Sequence, residues 1–148
     1  MIRKIIAREQ DRRSGCDQLR NDQSVSHLLQ WPCRINLIPI NAPYFDDADL
    51  LIAADCTAYA YSNFHNEFMR NHITLIGCSN FDNSDYSEKL AQIIANNNIK
   101  SIKIVRMEVL CCDSMENVVK RALQTSGKSI PLQLITISTD GEILREFT

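Results

Sequence analysis

The sequence predicts an α/β fold in three layers (αβα), with an open, mostly parallel sheet, a polar N-terminal arm and a C-terminal hairpin. Two observations carry this prediction. Nearly continuous apolar runs, which are typical of strands buried on both faces, alternate with segments whose apolar residues recur at helical spacing. The order strand, helix, strand then implies right-handed crossovers between parallel neighbours, as in Rossmann-like and flavodoxin-like folds.

The bulk composition is that of a single globular domain. The chain has 148 residues, of which 45% are hydrophobic and 23% are charged. A formal net charge of -2 argues against a nucleic-acid surface, which needs clustered Lys and Arg. Since no apolar run is long enough to span a membrane and the start is too charged for a signal peptide, we expect a cytoplasmic protein. Neither nucleic acid nor membrane is expected as a partner, and assembly as a homo-oligomer is left open.

The N-terminal part divides into an arm and the first strands. Residues 1–30 are polar and interrupted, which predicts an arm before an α/β domain over residues 31–148. Residues 34–40 alternate and predict a first strand. Its link to the next strand is short for a parallel crossover, so we expect this strand to lie at an edge of the sheet or to run in a different direction from the others. Residues 49–55 are nearly all apolar and predict the first fully buried strand.

The middle of the chain predicts helix, strand and helix in turn. Aromatic residues at helical spacing after Cys56 predict a helix, and residues 73–77 predict the strand that follows it. Ser84 is a suitable N-cap for the next helix, which the three asparagines at positions 96–98 are expected to end.

The C-terminal part completes the alternation. A strand is predicted over residues 101–109. Asp113 has the spacing of a capping box at the start of a helix that Gly127 ends. Residues 132–138 predict the last parallel strand, and Asp140-Gly141 is typical of a tight turn into a hairpin.

Cysteines follow three of the predicted strands. Cys56 and Cys78 each come directly after a strand, and Cys111 and Cys112 follow a third. Open α/β sheets place their ligand sites beyond the carboxyl ends of parallel strands, so we expect these four thiols to converge there. In a reducing compartment they are more typical of metal ligands or redox groups than of disulfides.

Convergent thiols suit an iron–sulfur cluster or zinc, because both prefer cysteine sulfur. The sequence therefore predicts a redox or accessory domain with such a site, and an electron-transfer protein is a candidate partner. Two alternatives stay open. One is an enzyme in which a strand-end thiolate is the nucleophile and His65 the base. The other is a binding or assembly domain with packed cysteines, the role that we expect for Cys16 and Cys33.

Two candidate accessory residues surround the first thiol. Asp55 directly precedes Cys56 and is predicted either to donate a carboxylate to a metal or to cap its own loop. His65 reaches the site only if its helix begins near Ser62. A helix that begins at Thr57 would hold the Cα atoms of His65 and Cys56 about 13 Å apart.

Arg106 and Glu108 are two further candidate accessory residues. They are two positions apart on an otherwise apolar strand, so they project to the same face. Because a lone buried charge is costly, we expect them to pair with each other or with neighbouring elements, or to serve the site.

Six segments within about residues 26–146 share a further pattern: Gln30–Pro32, Asn41–Phe45, Ala48–Cys56, Asn63–His65, Ile76–Cys78 and Val105–Cys112. They resemble a known family, the C-terminal domain that follows a 4Fe-4S ferredoxin module in iron–sulfur proteins of uncharacterised function. The resemblance implies a role in electron transfer or in another process that depends on iron–sulfur clusters. Two departures stand out. The chain lacks a ferredoxin-type run of cysteines, and Asp113-Ser114 replaces a pair of glycines after the adjacent cysteines, which removes backbone freedom.

Overall fold

The computed structural model describes residues 25–82 and 85–147, within which five strands form one sheet. Strands β1 to β4 are parallel, and β5 is antiparallel to β4. The spatial order is β2-β1-β3-β4-β5. The strands are β1 (Ala48–Ala54), β2 (Ile73–Gly77), β3 (Ile99–Met107), β4 (Leu132–Ile137) and β5 (Ile143–Phe147). The predicted α/β fold with a mostly parallel sheet is therefore confirmed.

Helices cover both faces of this sheet. The described helices are α1 (Thr57–Ala60), α2 (Ser87–Asn96) and α3 (Asp113–Ser126), with one π-helical turn at His65–Met69 and 3₁₀ turns at Pro43–Phe45 and Leu110–Cys112. Helices α2 and α3 pack together on one face, while α1 and the π-helical turn cover the other. None of the helices in the described part of the chain has the length and apolar character that crossing a membrane requires.

Burial on both faces explains the unbroken apolar run of β1. Leu50 and Ile52 face the core under α2 and α3, whereas Leu51 and Ala53 face the core on the α1 side. All four side chains are 0% exposed. A strand in this position has no solvent face, so it shows no alternation of polar and apolar residues.

The predicted first strand over residues 34–40 is wrong. Arg34 forms a single parallel bridge with Ile76, and the chain then turns, so that the Ile38 N–H donates to the Arg34 carbonyl at 3.1 Å. Ile35 and Ile38 are 0% and 1% exposed and belong to one core. Residues three apart point to opposite faces of a strand but to the same side of a turn, and this packing favours the turn.

The outer edge of β2 is covered by the segment before this turn. The Gln30 side-chain amide donates to the Thr74 carbonyl at 2.5 Å, and the Thr74 N–H donates back to the Gln30 side chain at 3.4 Å. Further along, the Ile76 N–H donates to the Cys33 carbonyl at 2.9 Å. Such pairing protects an edge strand from association with other chains.

Several predicted element boundaries need correction. The single helix expected after Cys56 is two short pieces, α1 and the π-helical turn. Asp113 is the first residue of α3 and makes no capping bond, because its carboxylate accepts a hydrogen bond from Arg106 instead. Ser84, Cys16 and most of the predicted arm lie outside the described residues.

Other predicted ends are confirmed. Helix α2 ends at Asn96, and α3 ends at Ser126 and is capped by Gly127, whose φ of 70° is left-handed. The hairpin between β4 and β5 also forms where it was predicted. Its turn residue Gly141 has a φ of 85° and lies against the Ala60 carbonyl, so a Cβ there would overlap that oxygen. Glycine is required at this turn both by its backbone conformation and by this close approach.

Candidate functional site

The strands β1 and β3 are neighbours in the sheet, but the chain continues from them toward opposite edges of the sheet. From β1 it crosses one face to β2, and from β3 it crosses the other face to β4. Ligands of open α/β sheets bind beyond the carboxyl ends of two such strands. We call this region the carboxyl edge, defined by residues 55–56, 78–82 and 108–114 after β1, β2 and β3.

Cys112 is the centre of a group of three thiols at the carboxyl edge. Its side chain is 6% exposed, and the neighbouring thiols of Cys111 and Cys78 both favour its protonated form. Burial has the largest effect and, with these neighbours, raises the pKa of Cys112 to about 11. We call Cys78, Cys111 and Cys112 the thiol cluster. Cys56 is exposed and is not among the groups that act on the Cys112 thiol.

The thiol cluster is not assembled as a metal centre. Within residues 25–82 and 85–147, no three side chains of His, Cys, Asp or Glu are grouped so that they could hold a metal ion. Cys56 and Cys111 are exposed free thiols, so their side chains can rotate without unpacking the core. A metal ion would have to draw the thiols together. The four predicted metal ligands therefore stay a prediction.

A side-chain hydrogen bond fastens the two segments that carry the thiol cluster. The hydroxyl of Ser79, in the loop after β2, bonds to that of Ser114, in the first turn of α3. Cys78 directly precedes the first of these positions, and Cys112 lies two residues before the second. The bond therefore keeps the carboxyl ends of β2 and β3 close, although β1 lies between them in the sheet.

Arg34 joins two carboxylates at the same edge. Its Nη2 donates to Asp55 Oδ2 at 3.2 Å and to Asp82 Oδ1 at 3.0 Å. The bond with Asp82 has the largest effect, followed by the charge of Asp55, and both raise the pKa of Arg34. Asp82 Oδ2 in turn accepts bonds from the Cys78 N–H at 3.2 Å and from the Tyr86 hydroxyl. Asp55 thus pairs with an arginine through one oxygen, a partner that sequence reasoning did not foresee.

His65 is oriented by the segment before the sheet. Its Nδ1 accepts a hydrogen bond from the His27 backbone N–H at 3.1 Å. In the neutral ring the proton must then lie on Nε2, which makes that atom a donor. This arrangement gives no support to the predicted role of His65 as a base.

Arg106 and Glu108 each pair with a neighbouring element and not with one another. Arg106 bonds to Asp113 at the start of α3, and its Nε lies 3.9 Å from Glu116 Oε2. Glu108 Oε1 accepts bonds from the N–H and hydroxyl of Thr139 at 3.0 Å and 3.1 Å. These contacts secure α3 and the β4–β5 turn, which is a structural role for both residues.

A cavity of about 410 Å³ opens beside the carboxyl ends of β1 and β2, on the α1 side of the sheet. Its polar lining includes Asp55, His65 and Thr74, together with Cys33, whose pKa is raised by burial. Apolar side chains form much of its wall, among them Leu28, Ala53, Ala54, Phe64, Met69 and Ile76. A largely apolar concave surface with a few polar groups is typical of small-molecule sites.

Sequence reasoning missed Arg34, Asp82 and Thr74 as residues of this region. The bonds of Arg34 link positions far apart in the chain, so no local pattern could reveal them. Thr74 did carry a signal, because it is the polar residue in the otherwise apolar run of β2. Cys33 was expected to be simply packed, but it lines the cavity.

Comparison with known proteins gives a family and a relative. A family model described as "Rossmann-like domain" matches residues 42–148. A protein of Archaeoglobus fulgidus named "Uncharacterized protein" is 27% identical over 120 residues, which cover 80% of this chain and 84% of that protein. No solved structure gives a significant match.

These findings overturn the resemblance to ferredoxin-associated iron–sulfur domains. The matching family is a Rossmann-like domain, and neither the family nor the relative points to an iron–sulfur protein. Much of the similarity rested on residues of β1, β2 and β3, which are mostly buried. Buried strand residues are determined by packing, so they report the fold and carry little information on a cofactor.

Proposed function

Because the chain belongs to the Rossmann-like domain family, we propose that it is a ligand-binding domain with its site at the carboxyl edge, where the thiol cluster binds a thiophilic metal ion. The observation that carries the proposal is the hydrogen bond between the Ser79 and Ser114 hydroxyls, which holds the segment of Cys78 against the segment of Cys111 and Cys112. Soft metal ions such as Zn²⁺ favour cysteine sulfur as a ligand.

The thiol cluster supplies three sulfur ligands from the ends of two strands. Cys56, at the end of a third strand, is the candidate fourth ligand because its exposed side chain is free to turn. Four protein ligands are typical of structural zinc sites, and three leave a position open to solvent or substrate. The predicted iron–sulfur cluster, redox role and electron-transfer partner stay predictions.

Metal binding must displace the Cys112 proton. All three thiols bind a metal ion as thiolates, so the apparent affinity rises with pH, and Cys112 contributes to this rise over the whole range below its pKa of about 11. The same raised pKa argues against Cys112 as an enzyme nucleophile, since reactive cysteines have lowered values.

Competition for Zn²⁺ between the reduced protein and a chromogenic chelator tests the proposal. We expect one equivalent of Zn²⁺ to bind the unmodified protein and the Cys33→Ser control, whose cysteine lies outside the thiol cluster. Cys111→Ser, at an exposed position, should weaken Zn²⁺ binding at least about 100-fold. This loss is larger than the loss usually caused by substituting a residue that only contacts a metal ligand. Equal affinity in Cys111→Ser and Cys33→Ser would refute the thiol cluster as the site.

A further inference from the structure

Three exposed hydrophobic side chains lie around the carboxyl edge. Tyr59, Phe81 and Leu110 are 94%, 90% and 86% exposed, whereas no other large hydrophobic side chain of the described residues exceeds 68%. They follow the neighbouring strands β1, β2 and β3 by five, four and three positions. Single exposed hydrophobic residues are ordinary, but several in one region mark an interaction surface. We call these three side chains the apolar rim.

The packing of their segments fixes where the side chains of the apolar rim lie. The bond between the Ser79 and Ser114 hydroxyls holds the loop of Phe81 against the start of α3, directly after the turn that carries Leu110. Tyr59 lies in α1, which the β4–β5 turn contacts. The apolar rim is therefore carried by backbone that is anchored to its neighbours.

Carboxylates surround the apolar rim: Asp55, Asp82, Glu108 and Asp113 at the carboxyl edge, and Asp140 and Glu142 in the adjoining β4–β5 turn. The positive charges that pair with them are fewer, because Arg34 pairs with two of these carboxylates and Arg106 with one. The surface is therefore apolar with an excess of negative charge. It suits a partner that carries apolar and basic residues together.

A segment of this chain has that composition. Residues 1–13, which we call the basic segment, contain five Lys or Arg, two Asp or Glu and three isoleucines. The described chain begins near the apolar rim, because Ser26 and Leu28 line the same cavity as Tyr59. Residues 14–25 can span up to about 40 Å when extended, whereas the carboxyl ends of β2 and β3 are two strand spacings, or about 10 Å, apart. The basic segment can therefore reach the apolar rim.

We propose that the basic segment docks on the apolar rim of its own chain and covers the carboxyl edge. Its isoleucines pack against Phe81 and Leu110, and its cations lie against the surrounding carboxylates. Docking in this way covers Cys111, the exposed thiol next to Leu110, and so controls access to that thiol. The inference needs no bound metal ion, so it goes beyond the proposed function and does not depend on it.

Zero-length cross-linking of the reduced, metal-free full chain tests the docking. A carbodiimide joins an amine to a carboxylate that it contacts, and Lys4 is the only lysine in residues 1–24. We expect peptide mass spectrometry to find Lys4 linked to carboxylates of the carboxyl edge, foremost the exposed Glu108 and Asp113. Because no metal is present, failure of this test is distinct from failure of the thiol cluster.

The contrary results of the cross-linking are equally specific. The ion pair of Lys100 with Asp49, whose charged atoms lie 3.7 Å apart, is the positive control. Lys4 linked only to distant carboxylates such as Asp47 before β1, or unlinked while this control forms, would overturn the proposal. A mixture of isotopically labelled and unlabelled chains identifies the occupant. We expect links within one chain, and links between chains would assign the apolar rim to a second copy and overturn docking within the chain.

A matched pair of phenylalanine variants tests the apolar rim itself. Phe81→Ser removes a side chain that is 90% exposed, while Phe147→Ser changes one that is 56% exposed on β5, outside the carboxyl edge. We expect Phe81→Ser to lose most of the Lys4 links, because the apolar contact of the basic segment is removed. Phe147→Ser should keep them. Equal yields in the two variants would contradict docking on the apolar rim.

The rate of Cys111 alkylation tests whether the docked segment covers this thiol. We expect the double variant Ile5→Ser, Ile6→Ser to raise the rate several-fold, because loss of docking uncovers the carboxyl edge. Leu19→Ser, which lies outside the basic segment, should leave the rate unchanged. An equal rate in the unmodified protein and the double isoleucine variant would show that the basic segment does not cover Cys111, and the proposal would fail.

Discussion

At the scale of single residues, neighbouring groups fix the protonation or the position of side chains at the carboxyl edge. Cys112 keeps its proton because burial and nearby thiols raise its pKa to about 11. Asp82 is held by Arg34, the Cys78 N–H and Tyr86. The sequence could place the cysteines at strand ends, because strand ends can be recognised locally. It could not identify these partners, because each bond depends on how separate segments pack.

The raised pKa of Cys112 predicts a loss of stability in alkali. An ordinary thiol in the unfolded chain loses its proton near pH 8.5, whereas the folded protein holds it to about pH 11. Between these values the folded state binds more protons, so the free energy of unfolding falls as the pH rises. Urea unfolding at successive pH values measures this fall. It should be smaller in Cys112→Ala, and an equal fall would show that the thiol is not responsible.

Gly77 is predicted to tolerate no side chain because Tyr86 fills the space. A Cβ on Gly77 would lie 2.9 Å from the Tyr86 hydroxyl and 3.0 Å from the ring, and Tyr86 is 1% exposed and cannot move aside. We expect Gly77→Ala to destabilise the fold by about 1–3 kcal/mol.

A double-mutant cycle in urea provides the control for Gly77. Tyr86→Phe removes the nearest atom, so Gly77→Ala should cost less in that background. Additive costs would mean that the two residues do not share this contact.

At the scale of elements, the sequence predicts the helices and strands that a local pattern determines. It does not predict those whose form depends on tertiary packing. The bounds of β2 agree with the prediction because an apolar run is flanked on both sides by polar residues. The segment 34–40 was misread because its alternation suggested a strand, while burial of Ile35 and Ile38 in one core required a turn. The helix after β1 broke into two pieces although its aromatic residues keep helical spacing, since Tyr61 and Phe64 between the pieces and Phe68 in the second piece pack in the same core.

Two left-handed glycines, Gly127 after α3 and Gly141 in the β4–β5 hairpin, allow a matched test. A Cβ on Gly127 would meet no atom within 4 Å, whereas a Cβ on Gly141 would overlap the Ala60 carbonyl. Gly127→Ala should therefore cost only about 1–2 kcal/mol of backbone strain. Gly141→Ala should cost about 2–4 kcal/mol, because steric overlap adds to the strain. Thermal or urea unfolding of the two variants compares them, and equal costs would contradict the close approach of the hairpin to α1.

At the scale of the whole molecule, the strand order decides where a ligand can bind. The sequence predicted parallel strands, but it did not predict the order β2-β1-β3, which depends on the direction of each crossover. That order creates the switch point between β1 and β3, while the parallel direction of β1, β2 and β3 places the thiols of three strand ends at the same edge. The thiol cluster and the cavity lie around this edge but use different residues.

Cobalt(II) titration is the measurement that tests the proposed thiolate site most directly. Cobalt bound to thiolates absorbs through sulfur-to-metal charge transfer, and the absorption grows with the number of bound sulfurs. We expect saturation at one equivalent in the unmodified protein and in Cys33→Ser. The absorption should be weaker in each of Cys78→Ser, Cys111→Ser and Cys112→Ser. An unmodified protein without this absorption, or a triple variant that keeps it, would contradict metal binding by the thiol cluster.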